Sequence, residues 1–348
     1  MDILYFLDKV TASDNLDKIK KEIVEFSALV EKHQTKNNSI IYQFNGTKHS
    51  VQKSFLLNEL EQINETKTIE RTQYYLSRLI KSLVEEKTSK INDLNLNRWK
   101  EYDDIITDSL WLIDKRDKSG AHKADYWGNF IPQIPNQFLR RYTKKDDWIL
   151  DTFLGSGTTL IECQRLGRNG IGIELNPSAI KSAKELLKKE KNKHKSKTEI
   201  LKGNSCNVDL KPTMRKNGIS SFQFLILHPP YWDIIRFSSN KNDLSNAKSI
   251  EEFLKMFGEV LNNTLPHLQK GRYLAVVIGD KYSSGEWIPL GFYVMQEVLK
   301  RKCKLKSTIV KNFEQTLGKR NQKELWRYRA LAGGFYIFKH EYIFLFQK

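Results

Sequence analysis

Cysteine is scarce in this sequence. Its 348 residues hold three, Cys163, Cys206 and Cys303, none at the spacing of a metal-ligand pair. That argues against a structural zinc and suits reduced thiols in a cytoplasmic protein, so no metal is expected. No run of 18 apolar residues occurs, so no membrane span is expected. The opening MDILYFLDKV lacks the charged-then-apolar layout of a secretory signal. Internal repeats are absent too. Acidic residues are the minority among charges, 41 against 58 Lys and Arg, for a formal net charge of +17.

The imbalance is local. Residues 1–97 carry 14 basic and 14 acidic side chains, whereas the remainder carries 44 and 27 and holds the entire excess. A basic excess in one part of a chain fits a polyanionic partner for that part, or a merely soluble, lysine-rich surface. The neutral part reads as helical. Leu16, Ile19, Ile23, Phe26 and Val30 recur at three- and four-residue steps, as do Ile69, Tyr74, Leu76, Ile80 and Leu83. Between them, SIIYQFNGTKHSV is either a hairpin turning at Asn45-Gly46 or a loop. His33 and His49 stand alone and read as surface residues.

From residue 98 the pattern changes. DWILDTF, GIGIEL, TEILKG, FQFLIL, YLAVVIG, KSTIVKN and EYIFLF read as strands. TTLIECQRLG, PSAIKSAKELLKKEK, SIEEFLKMFGEVLNNTLPHL and LGFYVMQEVLKR read as helices between them. The alternation predicts an α/β, doubly wound sheet in residues 98–348, behind an N-terminal helical domain of residues 1–97. Such sheets hold ligands at the carboxyl ends of their strands. Two unusual stretches fall there, DTFLGSGTT and LHPPYWDIIRF.

In the first, Gly155 and Gly157 allow a tight turn and a close backbone approach. Thr158 and Thr159 stand at the start of a helix, where free amides and the dipole favour an anion. Glu174 ends the next strand, 17 residues after Gly157, where a carboxylate can accept from both hydroxyls of a ribose. The turn is no P-loop, since no Gly-Lys-Ser/Thr follows.

DTFLGSGTTLIECQRLGRNGIGIELNP together with HPPYW, preceded by GAHKADYWGNFIPQIPNQFLRRYT, resembles the S-adenosylmethionine-dependent amino-methyltransferases of DNA, which act on cytosine N4 or adenine N6. The resemblance covers about residues 105–348, and its motif order is one of the known permutations. It implies a Rossmann-like methyltransferase sheet and S-adenosylmethionine as cofactor. It implies that Asp151, Phe153, Gly155 and Gly157 line the methionine part, that Thr158 and Thr159 receive its carboxylate, and that Glu174 holds the ribose. Asn129, Phe130 and Pro132 would close the pocket from the other side, and Asn204 would meet the adenine ring, where the family often has Asp.

The chemistry accounts for HPPYW. An exocyclic amine is a poor nucleophile because its lone pair is delocalised into the ring. Acceptors for its two protons localise density on nitrogen. Pro229 and Pro230 fix the backbone and remove donors, so the Pro229 carbonyl can serve as one acceptor. In the family the residue before the prolines supplies the other, and is Asp, Asn, Ser or Thr. Here it is His228, whose neutral imidazole can accept and whose imidazolium cannot. Activity should therefore fall at acid pH. Tyr231 would stack on a base drawn out of the duplex. An imidazole leaves more room for a pyrimidine than for a purine, which favours cytosine N4 over adenine N6, and Trp232 resembles the cytosine members more.

A basic segment, about residues 312–338, lies between the last two strands. Lys319, Arg320, Lys323, Arg327 and Arg329 alternate there with Trp326, Tyr328, Phe335 and Tyr336. It reads as a surface for double-stranded DNA or as a packed hairpin with solvated charges. Trp232 and Arg236, just after the proline turn, form a second candidate surface. The resemblance implies a restriction-modification or phage-related setting. With no nuclease motif in the chain, a restriction endonuclease would be a separate protein. The rival readings are an RNA or protein amine methyltransferase and a non-catalytic nucleic-acid-binding relative.

Overall fold

A computed structural model describes residues 2–123, 128–313 and 323–348. The chain forms two compact units, Met1–Lys90 with Leu94–Ile105, and Ile91–Asp93 with Ile106–Lys348.

The first unit contains α1 (Ile3–Thr11), α2 (Leu16–Lys32), β1 (Ser39–Phe44), β2 (Thr47–Gln52), α3 (Lys53–Asn64) and α4 (Ile69–Val84). The side chain of Asn15 accepts the Lys18 amide at 3.0 Å and starts α2. Ile19, Ile23, Phe26 and Val30 of that helix enter the core as their spacing predicts. The stretch left open between hairpin and loop is a hairpin. β1 pairs antiparallel with β2, and Asn45 and Gly46 both take positive φ, 47° and 74°, the two-residue turn that matches strand twist. Tyr74 departs from its expected place and is 56% exposed. The buried stripe of α4 runs Thr72, Leu76, Leu79, Leu83 at alternating four- and three-residue steps, and Tyr74 lies two residues off that line, on the other face.

The second unit continues with β3 (Leu110–Trp111), α5 (Gln133–Tyr142), β4 (Trp148–Asp151), α6 (Thr158–Leu166), β5 (Asn169–Glu174), α7 (Pro177–Lys189), β6 (Thr198–Lys202), α8 (Lys211–Lys216) and β7 (Phe222–Leu227). It ends with α9 (Ile250–Thr264), β8 (Leu268–Ile278), β9 (Lys281–Ser283), β10 (Glu286–Ile288), α10 (Leu290–Leu299), β11 (Lys304–Asn312), α11 (Lys323–Gly333) and β12 (His340–Gln347). The main sheet runs β3-β11-β12-β8-β7-β4-β5-β6. From β8 to β6 every pairing is parallel, and β12 is inserted antiparallel to both neighbours.

This is a doubly wound, Rossmann-like sheet, and the period of two in β7 shows why it is covered on both faces. Leu225 and Leu227 pack with Phe253 and Phe257 of α9 and Val294 of α10, while Phe224 and Ile226 pack with Ile134 and Phe138 of α5. All seven strands read from the sequence are present. The short β3 and the β9/β10 hairpin were not foreseen. Nor were α5 and α11; the latter occupies the stretch for which a packed hairpin was one reading. Among the described residues no helix is long and apolar enough to cross a membrane.

Candidate active site

The parallel strands end together, and their last residues surround one cavity of about 1300 Å³. Phe153 follows β4, Glu174 closes β5, Asn204 follows β6, His228 follows β7 and Gly279 follows β8; all five line it. The sheet therefore joins the glycine turn to the proline turn, which are about 70 residues apart in the chain.

The glycine turn is built by left-handed backbone. Gly155 has φ +56° and Gly157 φ +90°, values that a side chain makes costly. A Cβ on Gly157 would stand 3.2 Å from the Ala183 Cβ of α7, so this glycine allows close packing of two helices. The Glu174 carboxylate braces the turn. One oxygen accepts the Gly155 amide at 2.7 Å and the other accepts the Asn176 amide at 2.7 Å. Burial pushes its pKa up, against the pull of those amides. Asp151 lies behind the cavity wall rather than on it. It is 1% exposed, burial raises its pKa to about 6, and it accepts the Phe153 amide at 2.9 Å.

The two threonines are inside. Thr159 is fully buried, and Thr158 donates its hydroxyl to Asn129 Oδ1 at 2.7 Å. The first-turn amides of α6 have no intrahelical acceptor, and the part of this turn that lines the cavity is Thr152 to Gly155. Asn129 also donates to the Ser156 hydroxyl at 2.7 Å, so it clamps the loop before α5 to the glycine turn. Phe130 lines the cavity beside it, and Pro132 caps α5 outside the lining. Arg116 holds this loop by its carbonyls, donating to Asn129 O at 3.1 Å, Phe130 O at 2.9 Å and Lys123 O at 3.1 Å. Asn204 Oδ1 accepts the Cys206 amide at 3.0 Å.

At the proline turn the His228 ring packs on Phe130, with centroids 4.9 Å apart, and meets the edge of Tyr231 at 5.6 Å. His228 Nε2 lies 3.3 Å from the Tyr231 hydroxyl, which donates to Glu341 Oε2 at 2.7 Å. Lys311 Nζ lies 3.0 Å from Glu341 Oε1. Burial lowers the His228 pKa to about 4, with Lys311 adding to the fall and Glu341 opposing it. Burial and the Glu341 charge push the Tyr231 phenol well up. The Tyr231 ring also lies against Gly279, where a Cβ would come within 2.9 Å of it.

Sequence reading did not single out Lys311 and Glu341. A partial signal was available: Lys311 follows Ile309 and Val310, Glu341 precedes the apolar run of β12, and a charge buried beside such residues needs a partner. They are register partners across β11 and β12.

The expected nucleic-acid residues are spread out. Trp232 follows Tyr231 at φ +51°, a costly conformation for a bulky residue. Its indole donates to Ala247 O at 2.9 Å, and the Lys281 ammonium stands 4.0 Å above the ring. Arg236 is exposed. On α11, Arg327, Tyr328 and Arg329 are exposed, and Arg329 stacks over Trp326 at 5.3 Å. Lys319 and Arg320 lie outside the described residues, as does the Lys323 side chain.

Comparison with known proteins gives the family. The family model N6_N4_Mtase, described as DNA methylase, matches residues 7–185, just over half of the chain; the match ends before His228. The type II methyltransferase M.MjaII of Methanocaldococcus jannaschii is 50% identical over 52 residues, 15% of this chain and 10% of its own. M2.DpnII of Streptococcus pneumoniae is 37% identical over 100 residues, 27% of this chain and 34% of its own. M.HpaI of Haemophilus parainfluenzae is 34% identical over 118 residues, 34% and 35% of the two chains. These matches span about a third or less of each relative's length. A methyltransferase from Pyrococcus furiosus aligns over 65% of this chain and 87% of its own at 14% identity, with a TM-score of 0.40.

Proposed function

The chain belongs to the DNA methylase family of N6/N4 amino-methyltransferases, and from that premise we propose that it moves a methyl group from S-adenosylmethionine to an exocyclic amine of a base in double-stranded DNA. The observation that carries the reading is the shared cavity, in which a turn suited to a nucleoside cofactor faces the Pro-Pro-Tyr turn suited to an amine.

The residues fit the cofactor. Each Glu174 oxygen accepts one backbone amide and keeps a second lone pair for a ribose hydroxyl. The left-handed glycine backbone, Phe153 and the first amides of α6 would take the methionine part, and Asn204 the adenine ring. The buried Thr152 hydroxyl has no hydrogen-bond partner among the described residues, at a position that lines the cavity. Bound there, S-adenosylmethionine supplies an electrophilic sulfonium methyl.

The chain's own work is to present the amine. His228 and the Pro229 carbonyl accept from its two hydrogens and hold it in line, and such positioning supplies much of the rate. Burial keeps His228 neutral and able to accept. A base inside a duplex cannot reach this depth, so it must be flipped, with Tyr231 beside it. Phe130 pins the imidazole and leaves it unable to swing aside. That favours the smaller ring, and hence cytosine N4 over adenine N6. The basic α11 and Arg236 would meet phosphates. The setting would be cytoplasmic, with any restriction endonuclease a separate chain.

A tritiated-methyl assay offering duplex DNA, tRNA and protein tests the substrate class, and mass spectrometry of the nucleosides tests the base. N4-methylcytosine is the expected product. N6-methyladenine alone would overturn the choice of base and keep the class. Label only in tRNA or protein would move the enzyme to another substrate, and no label at all would mark a non-catalytic relative.

A further inference from the structure

The chain Lys311–Glu341–Tyr231–His228 has a direction, and the direction decides which imidazole nitrogen can accept. A lysine ammonium only donates, so Glu341, 3.0 Å from it, is held as a carboxylate that only accepts. Both side chains are close to nine-tenths buried or more, at 6% and 11% exposure. Tyr231 has one hydroxyl proton and gives it to Glu341 across 2.7 Å. Toward His228, 3.3 Å away, its oxygen can then only accept, and Nε2 must be the donor. A neutral imidazole carries one N–H. The lone pair therefore stands on Nδ1, which has no hydrogen-bond partner among the described residues, on a side chain that lines the cavity. Phe130, packed on the ring at 4.9 Å, opposes the half-turn that would exchange the two nitrogens.

We propose that Lys311, Glu341 and Tyr231 are positioning residues that fix the His228 proton on Nε2, so that Nδ1 is the acceptor for the amine being methylated. This rests on the proposed reaction. It explains how a histidine serves where the family has Asp, Asn, Ser or Thr. Those side chains present an oxygen lone pair whatever their protonation partner, whereas an imidazole does so at one nitrogen only and must be told which. Among the described residues the charges acting on the ring are Glu341 from β12 and Lys311 from β11, and Phe130 and Tyr231 pack against it. The low pKa of His228 and the high pKa of Tyr231 both keep the relay in its neutral form.

The test reads the tautomer directly and needs no turnover. Long-range proton–nitrogen NMR on the full-length ¹⁵N-labelled protein distinguishes the two nitrogens of each of the seven histidines. The His228 signals are those lost in His228→Asn. Wild type should show the proton on Nε2 and the lone pair on Nδ1 at neutral pH. Glu341→Gln should reverse the chain. Lys311 claims the amide oxygen, the amide NH₂ then faces Tyr231, the tyrosine turns its proton to Nε2, and the histidine proton moves to Nδ1. Tyr231→Phe should leave a mixture of both tautomers. In turnover, Glu341→Gln should lower kcat by about tenfold or more, the scale of one lost hydrogen bond to a reacting group, with S-adenosylmethionine affinity within about twofold of wild type. A wild-type proton on Nδ1, or an unchanged tautomer in Glu341→Gln, would overturn the proposal. Absence of methylation on every substrate, with the relay reading as expected, would overturn the reaction and not the relay.

Discussion

His228 separates two effects of acid. Its pKa is lowered in the fold, to about 4 against an ordinary 6.5, so the folded protein keeps it neutral while the unfolded chain protonates it below 6.5. Between those values the unfolded state binds more protons, so this group lowers stability as pH falls through the window from about 6.5 to about 4. The lone pair needed for acceptance is lost only near the lower end. A methylation profile should therefore hold, as far as this histidine is concerned, down to about pH 5, a lower limit than the sequence alone suggested for an ordinary imidazole. His228→Asn should flatten the pH dependence of chemical unfolding across the window; an unchanged slope would place the histidine outside the linkage. Glu174 makes a second residue-scale prediction. Glu174→Ala removes the proposed ribose acceptor and also frees the Gly155 and Asn176 amides, so cofactor affinity should fall by about 1–3 kcal/mol, read by calorimetry. Gly157→Val is the poorer probe, because its side chain would strike Ala183 and strain the turn before it touched a ligand.

Among elements, the loop before α5 is held by Arg116 through three carbonyls. Burial lowers the Arg116 pKa, yet a guanidinium stays charged at neutral pH. Arg116→Met should loosen Asn129 and Phe130 together and weaken cofactor binding about tenfold, while the melting temperature moves by only a few degrees. Wild-type affinity in that variant would show that the Asn129 clamp to Ser156 and Thr158 suffices. For α11, Arg327→Ala with Arg329→Ala should lower DNA affinity and make its salt dependence shallower, by roughly one unit of slope for each phosphate no longer neutralised. Equal salt slopes for variant and wild type would remove the helix from the DNA surface.

At the scale of the whole molecule, the compact units do not divide at residue 97. Ile91–Asp93 belongs with the sheet-bearing unit, where Asp93 accepts from Arg168 at 2.9 Å and from the Lys145 amide at 2.7 Å. Arg168 is nearly buried, so removing its partner leaves a costly charge. We expect a fragment of residues 91–348 to fold and bind S-adenosylmethionine, and one starting at 98 to be less stable by denaturant midpoint. If neither fragment binds the cofactor, the first unit has a part in the site.

What the sequence alone determined was local. Short apolar runs placed seven strands, three-and-four spacing placed α2 and α4, Asn45-Gly46 offered a turn, and two short motifs marked strand ends that border the cavity. Each depends on neighbours within a few residues, and that information is written in order along the chain. Only the tertiary structure decided that Thr158 and Thr159 are spent inside the fold, that Gly157 makes room for Ala183, and that Lys311 and Glu341 stand behind Tyr231. Those facts depend on which distant strands become neighbours. Tyr231 and Glu341 are 110 residues apart and meet only because β12 enters the sheet antiparallel beside β8. A histidine before two prolines is legible as a candidate acceptor from sequence, but the nitrogen proposed to do the accepting is chosen by a lysine three strands away in the sheet.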